Sequence, residues 1–170
     1  SIMQKAISRH RDGAAAGDVF PAMQVDAAAR DTLIQASVQE LAQKEVRGWG
    51  AGIAIAGALS LVAGAFLGLN LVWGAFLLAI GVVAWRTREL PWLIVIGLAI
   101  WWAALNNITV GSERWTTTSL WQVAIGAIVL YRYVAWRKRL QQPVAELSPV
   151  SGRWLPWLSL AGGALAAVAF

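Results

Sequence analysis

The apolar and polar positions of this chain fall into blocks. No residue between Trp49 and Trp85 is charged. A single helix over that stretch would be about 55 Å long, against a hydrocarbon layer of about 30 Å. The stretch therefore predicts two helices, 49–67 and 71–86, that turn at Gly68-Leu69-Asn70, since Gly and Asn tolerate turn dihedrals. A third apolar run, 91–105, opens with Pro91, which suits a first helical turn, and stops at Asn106-Asn107. A fourth covers 120–136 and a fifth 155–170. The predicted fold class is an all-α integral membrane protein. At least five transmembrane helices form tandem helical hairpins, preceded by an N-terminal cytoplasmic amphipathic helix.

That amphipathic helix lies in the mixed segment 1–47. Asp12 to Asp18 reads as a linker, and Asp26 as the N-cap of a helix over about 26–46. Ile34, Val38 and Leu41 make a narrow apolar stripe at helical spacing, widened by Leu33 and Ala42. The segment carries six basic and six acidic side chains. Its zero net charge disfavours a basic lipid-binding helix, so the stripe is expected to contact a protein partner. Two regions follow: a cytoplasmic segment, 1–47, and a transmembrane bundle, 48–170.

Composition sharpens the class. Hydrophobic residues make up 58% and charged residues 14%, where a soluble domain carries about 45–50% and about 25%. Cysteine is absent and His10 is the single histidine. Disulfides, thiolate metal sites, cysteine nucleophiles and bis-histidine haem are thereby excluded. No Ser–His–Asp set, paired carboxylate site or phosphate loop can be assembled, so no enzyme activity and no metal site are expected.

Charge then gives orientation. The net +5 lies outside 1–47, and it reads as a topology signal, with no nucleic-acid partner expected. Arg86 and Arg88 fall between spans two and three. Arg137, Lys138, Arg139 and Arg153 fall between spans four and five, and Lys44 and Arg47 precede span one. These share one side of the membrane if the N-terminus is cytoplasmic, which points to the cell (inner) membrane. Arg132, one turn before Trp136, is expected to snorkel to the interface. Trp49, Trp85, Trp92, Trp136, Trp154 and Trp157 are expected as an inner aromatic belt, with Trp73, Trp115 and Trp121 near the outer boundary. Ser119 or a neighbouring threonine is expected to cap the fourth span after a polar outer loop, 106–119.

A repeat supports the hairpins. Leu90-Pro91-Trp92-Leu93 recurs as Leu155-Pro156-Trp157-Leu158, and Val83-Ala84-Trp85-Arg86 as Val134-Ala135-Trp136-Arg137. The copies occupy equivalent positions, which predicts a further returning span after Phe170. In its Gly-rich hairpins and short turns the chain resembles small bacterial six-span proteins of the acid-resistance (HdeD-like) type. The likeness lies in pattern and spacing and implies no function.

Within the first span, Gly48, Gly52, Ala56, Ser60, Gly64 and Gly68 recur every fourth position, a face suited to close helix contact. Gly163 and Ala167 continue the pattern, more weakly, in the fifth. Trp101 and Trp102 lie deep in the third span and are the candidates for a lipid, quinone or pigment, although no cofactor is predicted. The expected function is a non-enzymatic multi-pass subunit that packs into, and stabilises, a larger membrane protein complex. Its expected partners are membrane lipids and other membrane subunits. The alternatives are a small hairpin-repeat transporter or channel for an uncharged or hydrophobic substrate, and a pigment- or quinone-binding accessory subunit of an energy-conserving complex.

Overall fold

The computed structural model describes residues 16–67, 71–110, 113–147 and 154–168. Among them every regular element is helical: α1 (Ala16–Leu67), α2 (Leu71–Thr87), α3 (Trp92–Val110), α4 (Glu113–Gln141), a 3-10 turn at Val144–Glu146, and α5 (Leu155–Val168). The chain divides into two units between Ser37 and Val38.

In the first unit, Thr32 and Ser37 donate their hydroxyls to the Ala29 and Ile34 carbonyls, 2.7 Å each. Leu33 is 72% exposed. Two expectations change here. The helix opens at Ala16, so Asp26 lies inside it and is no N-cap. It also runs without a break through Arg47 and Gly48 into the apolar run. Interior glycine disfavours a helix by about 1 kcal/mol, but Gly48, Gly50 and Gly52 all lie in helix–helix contacts that exist because they lack a side chain.

In the second unit, α1 runs antiparallel to α2. A Cβ at Gly50 would lie 2.6 Å from the Trp85 amide nitrogen. One at Gly57 would overlap Leu78, and one at Gly74 would lie 2.9 Å from the Leu61 nitrogen. α1 also runs parallel to α5, with Gly52 against the Leu160 carbonyl (2.5 Å from a built Cβ) and Gly163 against the Trp49 carbonyl (3.1 Å). α3 and α4 pack antiparallel in another way, with side chains seated on glycine. Leu130 covers Gly97 and Trp101 covers Gly126.

Apolar side chains lie on the outside of the bundle as well as in its interior. Small residues fill much of the interior, including Ala42, Ala56, Ala84, Ala103 and Ala104, beside Ile53, Leu93, Ile96 and Val129. Large apolar side chains point outward on all five helices, among them Phe66 (85% exposed), Val72, Leu98, Tyr131 and Leu158.

Hydropathy marked the helix ends less well. α3 and α4 extend into 106–119, the segment expected as a polar loop, and only 111–112 between them lie outside the described residues. A hydropathy change shows where the apolar environment stops; the backbone ladder can continue past it. Ser119 is accordingly buried inside α4 and does not cap it. By length and composition, one described helix is long and apolar enough to cross a membrane, within Ala27–Phe66. Shorter apolar helical stretches occupy Leu71–Thr87, Trp92–Asn106 and Leu155–Leu165.

Candidate functional site

The chemistry of this molecule concentrates where α1 meets α4. Glu45 and Trp49 are one helical turn apart on α1, and Arg132 and Trp136 one turn apart on α4. Residues four apart share a helix face, so each helix presents an ionisable group and an indole together. The antiparallel crossing brings the two pairs into contact.

Glu45 is 2% exposed and accepts from four donors. The Arg132 guanidinium grips it in two-pronged fashion, Nε to Oε1 at 2.8 Å and Nη2 to Oε2 at 2.6 Å. The Trp136 indole N–H donates to Oε2, and the Trp49 indole N–H reaches Oε1 at 3.5 Å. The guanidinium also lies 5.4 Å from the Trp136 ring centroid, within cation–π range. Forked Arg–carboxylate pairs add geometric specificity to charge attraction. Both carboxylate oxygens are engaged and shielded by two buried indoles, so the arrangement fixes two helices and leaves no free lone pair aimed at a ligand.

This bears on two expectations. Arg132, expected to snorkel, is paired with Glu45 and keeps 28% of its side chain exposed. Trp49 and Trp136 are not interfacial anchors but are buried. The sequence signal that could have found the site is the matched spacing of Glu45 with Trp49 and Arg132 with Trp136.

The other candidates distribute as follows. Gly48 meets Ser159 and the Pro156 carbonyl of α5, Gly52 meets Leu160 and Gly163, and Ala56 is buried. Gly64 is buried and Ser60 half-buried. Gly68 and the Ala167 side chain lie outside the described residues. The α2 seam uses a different set, Gly50 and Gly57 on α1 with Gly74 and Gly81 on α2, whose step of seven hid it in a sequence scanned at steps of four. Val38 is buried in the second unit and Leu41 packs against the same core, while Ile34 in the first unit is half-buried.

Trp101 donates its indole N–H to the Val123 carbonyl at 3.0 Å and fills the notch over Gly126. Trp102 is 65% exposed on the outer surface. The two tryptophans are therefore not brought together into one site. Among the described residues no group of three His, Cys, Asp or Glu side chains could hold a metal ion. No known protein family, curated protein or solved structure matches this chain.

Proposed function

We propose that the chain is a non-enzymatic multi-pass membrane subunit that packs into, and stabilises, a larger membrane protein complex. The observation that carries this reading is the apolar outer surface. Large apolar side chains face outward on every helix, while glycine and alanine hold the helices together. In water that distribution would leave an apolar surface far beyond what monomers tolerate. In lipid it is the favourable one, because helix association there depends on close backbone approach. The Glu45–Arg132 clamp supports a structural role, since both carboxylate oxygens are engaged in holding α1 to α4. The basic side chains gathered at one end support a cytoplasmic N-terminus in the cell membrane.

The test is purification from native membranes in mild detergent, followed by mass spectrometry. Other membrane chains are expected at fixed stoichiometry. A homo-oligomer free of other subunits would overturn the subunit reading and favour a channel. A chain released from membranes by alkaline carbonate would overturn the membrane reading altogether.

A further inference from the structure

The α1–α2 seam gathers three cations that the clamp does not use. Because Gly50 lies against the Trp85 backbone, Arg47, one turn earlier on α1, meets the end of α2. Its guanidinium carbon sits 5.4 Å from the Trp85 ring centroid. Arg86 lies in the last turn of α2, and Arg88 directly follows that helix. All three arginines are exposed, and Trp85 is 41% exposed beneath Arg47. The ion pairs among the described residues are Lys44–Glu40 and Arg132–Glu45, so none of these arginines is neutralised by a carboxylate within 4.0 Å. Glu45, the acidic residue nearest Arg47 in sequence, is already held by Arg132. Glu89 follows Arg88 and is exposed, leaving the cluster with a charge excess of two from three arginines and one glutamate.

Arg88 adds a second, independent observation. Its φ is 55°, the single described non-glycine residue with positive φ. Its amide still reaches the Ala84 carbonyl at 3.0 Å, so it ends α2 in the left-handed conformation that glycine adopts most cheaply. An arginine held there retains a cation where the backbone alone favours a residue with none.

We propose that this end of the α1–α2 hairpin binds the phosphate headgroup of an anionic phospholipid. Arg47, Arg86 and Arg88 supply the charge, and Trp85 lies at the boundary between headgroup and acyl chain. Guanidinium groups match phosphate oxygens in forked geometry, and an indole prefers that depth. The inference rests on the membrane reading above and names a lipid class for it.

Native mass spectrometry of the full chain, released from nanodiscs of phosphatidylglycerol or of phosphatidylcholine, tests it. The unaltered protein should retain phosphatidylglycerol and lose phosphatidylcholine. Arg47→Gln with Arg86→Gln and Arg88→Gly should weaken retention on the order of a hundredfold, at about fivefold per charge near the surface. Arg88→Gly alone should reduce retention while holding or raising thermal stability, because glycine fits the left-handed position. Arg137→Gln with Lys138→Gln, at the end of α4, should weaken retention far less than the triple variant, because no indole-backed site is lost there. Equal retention of both lipids, an unaffected triple variant, or an equal loss in the α4 control would each overturn the proposal. A protein that stays in carbonate-washed membranes but shows no headgroup preference defeats this inference alone; release by carbonate defeats the membrane reading beneath it.

Discussion

Helix α1 is held by two kinds of contact within a few residues. At Glu45 it meets α4 through a charge pair enclosed by indoles. At Gly50 and Gly57 it meets α2 through bare backbone. The glycine seam is permissive, because any helix with matching notches could slide along it. The clamp is selective, because a buried carboxylate accepts one arrangement of donors and is costly in every other. A single buried polar contact that sets register among apolar ones is the best-attested use of such groups. Here the seam supplies proximity and the clamp supplies register.

The largest effect should come from breaking the clamp. Arg132→Met strands a buried carboxylate and should destabilise the bundle by about 3–5 kcal/mol, read as thermal loss of helicity in detergent. Glu45→Met combined with Arg132→Met should recover most of that stability. A single variant as stable as the parent would remove the clamp from this account. The seam comes next. Gly57→Ala forces a Cβ into the α2 backbone and should cost about 1–3 kcal/mol. Gly97→Ala should cost less, since its obstacle is the Leu130 side chain, which can rotate away. Equal costs in parallel melts would erase the distinction between backbone and side-chain seams.

Trp101→Phe keeps an aromatic body over Gly126 but loses the bond to the Val123 carbonyl. It should cost about 0.5–1.5 kcal/mol by the same melts. The smallest effect belongs to the exposed Glu40–Lys44 pair, 2.8 Å apart. Hydrogen bonding and charge attraction from Lys44 hold the Glu40 carboxyl below its usual range. Its contribution is therefore complete above the ordinary glutamate value and fades only as pH falls through the depressed one. Glu40→Gln should shift acid unfolding slightly there and leave melting at neutral pH unchanged, since exposed pairs contribute little.

The two copies of Val-Ala-Trp-Arg show where sequence reading stops. Both lie in the last turns of a helix. Trp85 is 41% exposed beneath Arg47, whereas Trp136 is 1% exposed and donates to Glu45. Likewise Leu93 is buried and its counterpart Leu158 is 68% exposed. Four identical letters place a residue along a helix, but the neighbours decide which way the helix is turned.

By itself the sequence determined the all-helical class, the apolar stretches that become helices, and the absence of cysteine chemistry. These depend on local backbone hydrogen bonding and on side-chain transfer preferences, both carried within a few residues. Tertiary structure decided which glycines face α2 and which face α5, and that Arg132 is paired. Glu45 and Arg132 are 87 residues apart in the chain. No periodicity within either segment records their meeting, because it arises from the crossing of two helices that local rules leave free to rotate and slide.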